Sequence, residues 1–203
     1  MTTIEKLLRG GDVADDARRA AERAAAAARA DGLADVSYAI EPSPLGDLVV
    51  AVTPRGLIRL AYGADERTDV VLEELARRVS PRVLEAPAAL DDVRRELDEY
   101  FDGRRRDFDI PIDWRLHGGF SRRVLRATAR IPYGRVLSYA EVAAKAGSPR
   151  GSRAAGNALG SNRMPIIVPC HRVVRTGGAL GGYTGGIEKK EYLLSLEASS
   201  LSA

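Results

Sequence analysis

The sequence has one cysteine, two histidines, one tryptophan and four lysines in 203 residues, and each scarcity removes a class of protein. A single thiol closes no intramolecular disulfide, makes no Cys-x-x-Cys redox pair and supplies no multi-cysteine zinc site. Arg or Asp breaks every apolar run before it reaches the roughly 18–20 residues of a membrane span, so no membrane association is expected. The N-terminal region holds no apolar signal core, because Arg18, Arg19, Glu22, Arg23 and Arg29 interrupt the alanine-rich run at 14–30. A chain with a free thiol and no secretory signal is expected in a reducing cytoplasm. With 45% hydrophobic residues and a net charge of only +3, there is material for a core, which removes wholesale disorder and collagen-like or low-complexity scaffolds.

The near-neutral balance hides an asymmetry. Residues 1–119 carry 18 Lys+Arg and 24 Asp+Glu, a net of −6, whereas residues 120–203 carry 13 and 4, a net of +9. Between 120 and 175 stand 11 basic residues and one acid, Glu141. Such a segment fits a polyanion-binding face, although an arginine-rich composition (27 Arg to 4 Lys) scatters cations over any surface.

Residues 12–31 read as a helix on alanine propensity, with little to bury. From Val36 the pattern changes to short β-prone runs at 36–40, 48–53 and 57–62, separated by Pro- and Gly-containing turns, which predicts an antiparallel three-stranded meander. Helical spacing returns at 66–79 and 88–101, the latter with Leu90, Val93, Leu97 and Phe101 on one stripe, and Gly103 ends it. The run Arg104-Arg-Arg106 reads as a solvated loop, and 108–114 as an extended connector. A boundary near 115 coincides with the charge switch. The expected organisation is a helical extension at 1–34, an α/β domain at 35–115 and a C-terminal domain at 116–203.

Short helices are predicted at 121–129, 138–146 and 149–159. Ser138 with Glu141 forms a capping box, and Ser148 followed by Pro149 reads as an N-cap with proline at the first helical position. The last two helices, joined by a tight glycine turn, resemble a helix-turn-helix.

The run Pro165-Ile-Ile-Val168 looks strand-like, and Pro169 halts it just before Cys170 and His171. A buried lone cysteine is usually an inert small hydrophobe. Here the thiol lies where a strand ends and a site can open, with His171, Arg172 and Arg175 as candidates to deprotonate it or stabilise its thiolate. The glycine-rich stretch at 177–186 reads as either a pocket wall or a flexible loop, and not as a phosphate loop, since no Gly-Lys-Ser/Thr follows.

These motifs occur together and in order: Ile-Pro-Tyr-Gly-Arg-Val-Leu-Ser-Tyr at 131–139, Ser-Pro-Arg-Gly-Ser-Arg-Ala-Ala-Gly at 148–156, Asn162, Pro-Cys-His-Arg-Val at 169–173 and Gly-Tyr-Thr-Gly-Gly at 182–186. On them, residues 120–197 resemble the C-terminal domain of the O6-alkylguanine-DNA alkyltransferases. Residues 36–114 resemble that family's more variable N-terminal domain in outline, and 1–34 lie outside the resemblance. The implied fold is α/β (α+β): a small N-terminal antiparallel sheet with helices, followed by a helical, winged helix-turn-helix-like DNA-binding catalytic domain.

The resemblance implies a DNA repair protein that flips O6-alkylguanine out of duplex DNA and moves the alkyl group irreversibly to its own Cys170, once per molecule. By the same resemblance His171 is the base, Glu197 orients it, and Asn162 braces the active-site turn. Tyr139 assists base recognition and protonates the departing guanine. Tyr183 walls the base pocket, the Cys170 and Val173 carbonyls face the guanine amine, and the Thr184 backbone donor faces O6. Arg153 fills the space left by the extruded nucleotide, and the stripe Gly151, Ala154, Ala155 and Ala158 lets the helix approach the minor groove. Small residues at that spacing otherwise signal close helix packing. No cofactor is implied, and no metal is expected, because some family members build a zinc site from extra Cys and His whereas this chain adds only His117. The implied partner is double-stranded DNA containing O6-alkylguanine, bound by a monomer. Two competing readings are a lesion-recognising DNA-binding module without alkyl transfer, and a Cys-His hydrolase.

Overall fold

A computed structural model describes residues 11–202. The alanine-rich segment is helical, α1 (Gly11–Ala30), and lies against a 3-10 turn at Pro87–Leu90, with Ala25 buried and most of its described side chains exposed.

The β-prone runs form β1 (Val36–Glu41), β2 (Leu48–Thr53) and β3 (Gly56–Tyr62), paired antiparallel in sequence order. A fourth strand, β4 (Val83–Glu85), lies parallel to β1, giving the order β3-β2-β1-β4. The predicted antiparallel meander is present, and the parallel β4, three partly or fully exposed residues with too little periodicity to signal a strand, extends it to a mixed sheet. Strand β2 is central and buried throughout, and its alternation divides two cores. Val49 and Ala51 face a smaller cluster with Val71 and Leu75 of α2 (Thr68–Arg78). Leu48, Val50 and Val52 face the main cluster, which includes Val93, Leu97 and Tyr100 of α3 (Asp91–Phe101) and continues through Val124, Val142, Ala155 and Cys170. The charge-defined halves of the chain therefore share one core.

The connector reinforces this. Leu57 N–H donates to Pro111 O at 2.8 Å and Asp113 N–H to Leu57 O at 2.8 Å, so the segment runs beside β3. Gly56, at φ 119°, permits the approach, since a Cβ there would lie 2.1 Å from Pro111 O. Arg105 is not the solvated residue its run suggested. Its side chain is 16% exposed and bonds Glu99 at 2.7 Å and Asp109 at 3.1 Å, because three carboxylates converge on it.

The C-terminal half holds α4 (Gly119–Thr128), α5 (Tyr139–Lys145), α6 (Ser152–Gly160) and α7 (Ile187–Ser202). Both halves of the Ser138–Glu141 capping box are made. The predicted cap at Ser148 is not: Gly151 N–H donates to Ser148 O at 2.8 Å, closing a turn, and the helix starts at Ser152 with Gly151 as its N-cap. Strands β5 (Leu137–Ser138) and β6 (Val173–Val174) pair in parallel, which fixes the start of α5 beside the chain leaving Cys170.

Candidate active site

The run ahead of the cysteine is a pair of tight turns and not a strand, correcting the sequence expectation. Val168 N–H donates to Met164 O at 2.8 Å and Cys170 N–H to Val168 O at 2.7 Å. Ile166 sits at φ 73°, in the left-handed region. That conformation costs a β-branched residue on the order of 1–3 kcal/mol and persists only where neighbours enforce it. The enforcement comes from Asn162. Its Nδ2 donates to Val168 O at 2.8 Å and to Cys170 Sγ at 3.1 Å, while its Oδ1 accepts from Met164 N–H at 3.0 Å. Cys170 then begins a 3-10 turn, Cys170–Arg172, and is 4% exposed.

Burial pushes the Cys170 thiol up to about 11, against the hydrogen bond from Asn162 and the charge of Lys190, which pull it down. The resting thiol is therefore protonated at neutral pH, and its proton must leave as the sulfur reacts.

Behind the turn, Glu197 of α7 is a hub. It takes Arg172 through Nε at 3.1 and 3.0 Å and Nη2 at 2.9 Å, Tyr100 Oη at 2.8 Å, and Gly134 N–H at 2.9 Å. His171 Nε2 lies 2.8 Å from Glu197 Oε1, while the buried Nδ1 has no protein partner. Burial works against the Glu197 charge, but the His171 hydrogen bond and then the Arg172 fork override it and draw the carboxyl down to about 2. Burial lowers His171, which is neutral at pH 7 and free to take a proton. Arg172, a candidate thiolate partner from its position, instead spends its guanidinium on Glu197 and Ile131 O, the latter at 2.6 Å.

Cys170 opens onto a cleft of about 690 Å³ that Tyr139, Arg153, Arg175, Tyr183 and Thr184 also line, a volume suited to a small-molecule group or a single base. Tyr139 Oη donates to Gly182 O at 3.3 Å, and burial raises its pKa. The wall at 181–186 is held from beneath by Lys190. Its fully buried Nζ donates to Val173 O at 2.6 Å and Leu180 O at 2.5 Å, and burial lowers it to about 8.

Helix α6 splits the predicted small-residue stripe. Ala155 and Ala158 are buried against the core, whereas Ala154 is exposed beside Arg153. The exposed face adds Ser152 and Asn157, which sequence reasoning did not single out. The basic segment divides similarly. Arg122, Arg123, Arg163 and Arg172 bond within the protein, and Arg126 stacks on Trp114 at 5.6 Å. Among the described residues, Arg130, Arg135, Lys145, Arg150, Arg153 and Arg175 are exposed and carry no side-chain hydrogen bond or ion pair. Half of the sequence's positive face is therefore structural.

Residues 119–199 match the 6-O-methylguanine DNA methyltransferase DNA-binding domain, and residues 36–114 match the ribonuclease-like domain of the same family. The chain belongs to the 6-O-methylguanine DNA methyltransferase family. It is 36% identical over 166 residues to the constitutive methylated-DNA–protein-cysteine methyltransferase of Bacillus subtilis, covering 80% of this chain and 96% of that protein. It is 37% identical over 169 residues to the methylated-DNA–protein-cysteine methyltransferase of Mycobacterium bovis, covering 83% and 96%. Among solved structures, the Mycobacterium tuberculosis O6-methylguanine methyltransferase superposes with a TM-score of 0.70 at 37% identity, over 81% of this chain and 94% of that one. The same protein in complex with DNA gives 0.69.

In this methyltransferase family member, Cys170, Asn162, Tyr139, Tyr183, Thr184 and Arg153 converge on one cleft or its floor, and His171 and Glu197 pair directly behind it. Gly151, Ala155 and Ala158 do not line the cleft. Sequence reasoning missed Tyr100 and Lys190. Tyr100 stands on the predicted stripe side of α3 with no local hint of a partner 97 residues away. For Lys190 a signal existed: Lys190, Leu193 and Glu197 share one helical face. That face is the buried one. No group of three or more His, Cys, Asp or Glu side chains that could hold a metal ion occurs among the described residues, and none of the described helices is long and apolar enough to cross a membrane.

Proposed function

We propose that Cys170 is the alkyl acceptor of a single-use DNA repair reaction on O6-alkylguanine flipped from double-stranded DNA into the cleft. The observation that carries this reading is the thiol at the floor of a cleft with Asn162 donating to its sulfur and the neutral His171, paired to ionised Glu197, adjacent in the chain. The sulfur attacks the alkyl carbon as the carbon–O6 bond breaks, forming a thioether. The thiol proton passes to His171, whose free Nδ1 is the accepting nitrogen, through a bridging water. The resulting imidazolium is stabilised by Glu197. Tyr139 gives its hydroxyl proton to the departing guanine and recovers one from the relay, so that the thiol hydrogen ends on the base. A thioether is not reversed by disulfide reductants, so each molecule reacts once.

Arg153, at the exposed start of α6, fills the stack when the nucleotide leaves. The Cys170 and Val173 carbonyls and the Thr184 N–H read the base edge, and the six exposed unpaired cations meet phosphates. Residues 35–115 act as the supporting domain and 116–203 as the catalytic one, in a monomer working in the cytoplasm.

The test is intact protein mass after incubation with a duplex carrying one O6-methylguanine, beside an unmodified duplex and a Cys170→Ser control. A gain of one methyl group, only with the lesion and only with Cys170 present, is expected. An unchanged mass with the lesion duplex refutes the reading.

A further inference from the structure

We propose that Tyr62, at the end of β3 in the N-terminal sheet, is a specificity-determining positioning residue that holds Tyr183 and the 181–186 loop against the cleft, and so limits the size of the alkyl group transferred. The proposal rests on Cys170 being the alkyl acceptor.

The loop has little structure of its own to fix the cleft's width. No helix or strand covers residues 175–186, and both Gly181 and Gly186 have positive φ. Its only backbone hydrogen bond between 181 and 186 and its neighbours outside the helix is Gly186 N–H to Tyr183 O at 3.1 Å. What holds it comes from elsewhere: Lys190 and Tyr139 bond Leu180 and Gly182, and Tyr62 takes Tyr183 and the far end. Tyr62 is 3% exposed. Its hydroxyl lies 2.8 Å from the Tyr183 hydroxyl across 121 residues of chain, and the two rings pack at 6.3 Å with a 59° tilt. Its ring also seats the loop's far end: a Cβ on Gly185 would lie 2.5 Å from Tyr62 Cε2, so the chain passes at a distance only glycine allows.

Lys189 closes the clasp. Its Nζ sits 5.0 Å above the Tyr62 ring centroid, donates to Gly185 O at 3.0 Å and pairs with Asp65 at 2.8 Å. Ring, cation and carboxylate thus bind the loop to one short segment of the N-terminal domain. The Tyr183 ring also meets the His171 ring edge-on at 6.4 Å. Tyr183 therefore contacts both the proton acceptor and Tyr62, and it can yield to a bulky alkyl group only by leaving its hydroxyl partner. A buried hydroxyl bond without which the ring is free to swing sets this resistance. A methyl group, which does not press on the wall, is indifferent to it.

The experiment measures single-turnover transfer rates from two duplexes, one carrying O6-methylguanine and one O6-benzylguanine, for the wild type, Tyr62→Phe, Tyr183→Phe and the double variant. Tyr62→Phe keeps the ring and removes only the hydroxyl. The expected result is a benzyl-to-methyl rate ratio raised roughly 2- to 10-fold, the range for one lost hydrogen bond, with no further rise in the double variant because both single changes break the same bond. Lys189→Met, which removes the cation from the clasp and leaves Tyr62 itself unchanged, is expected to raise the ratio as well and serves if Tyr62→Phe does not fold. An unchanged or lowered ratio in these variants, or additive effects of the two Phe changes, overturns the proposal while leaving Cys170's role intact. Absence of methyl transfer by the wild type overturns the function itself.

Discussion

Replacing Glu197 by Gln changes one oxygen to an amide and removes, among the described residues, the only carboxylate bonded to the buried Arg172 guanidinium. Arg172 and Glu197 have side chains 5% and 1% exposed, so solvent cannot take over the lost pairing. Removing one partner of a buried ion pair costs about 3–5 kcal/mol, because the remaining charge stays desolvated. The carboxyl's own titration gives the pH dependence. Its pKa falls from 4.5 to about 2 on folding, drawn down by His171 and then by Arg172 against the cost of burial. The sign follows from the depressed folded value: the stabilisation is complete above pH 4.5 and is lost as pH falls from 4.5 towards 2. For a chain of this size, each kcal/mol moves Tm by about 2–4 °C, so Glu197→Gln should melt roughly 6–20 °C below the wild type at pH 7. The gap should narrow as both are taken down to pH 3, because only the wild type has this stabilisation to lose. Thermal melts followed by circular dichroism at pH 7, 5 and 3 measure both. A drop below about 3 °C at pH 7, or a gap that stays constant with pH, would refute the account of Glu197 as the charge that neutralises Arg172.

Asn162→Ala removes three bonds that hold the strained turn; a loss of about 3 kcal/mol in denaturant unfolding is expected, together with slower alkyl transfer, and wild-type behaviour in both would count against the brace. His117, 4% exposed with Nε2 unpartnered, is lowered to about 4 by burial and then by Arg163, Arg78, Arg122 and Arg59. Because the unfolded chain binds the proton first, stability should fall as pH drops from 6.5 to 4, and His117→Phe should flatten that part of the stability–pH curve. If the six exposed cations of the 120–175 segment that carry no partner make the phosphate contacts, the slope of log K against log salt for an undamaged duplex should be no steeper than about −5; a slope near −10 would mean that the internally bonded arginines rearrange on DNA.

What was legible in the sequence was local. The meander followed from period-2 runs cut by Pro and Gly, and the Ser138–Glu141 cap from two residues three apart. What failed was equally local evidence used at the wrong scale. Ile166, Ile167 and Val168 read as strand because β-branched residues favour extended backbone. A side-chain amide from Asn162 overrode that preference by taking the Val168 carbonyl and offering its own to Met164. Likewise Ser148-Pro149 has the chemistry of a helix start, but the turn it opens closes on Gly151 and delays the helix to Ser152.

The charged residues show where reading from sequence ends. Net charge over 120–175 counts Arg163 and Arg172 with Arg153 and Arg175, although the first two are bound to Glu74 and Glu197. Glu74 lies in the N-terminal half and Glu197 in the last helix, so the 120–175 window holds neither partner. The same holds for Lys190, whose acceptors are backbone carbonyls that composition cannot display, and for Tyr62 with Tyr183. Each of these contacts ties the loop or turn around Cys170 to a distant element. A thiol whose proton must be removed within a buried, closely bonded turn needs its neighbours fixed to fractions of an ångström, and short local motifs cannot fix them alone. The N-terminal domain, where no acceptor chemistry was sought, supplies Tyr62 from β3, Glu74 from α2 and Tyr100 from α3, and in that sense it helps build the candidate site.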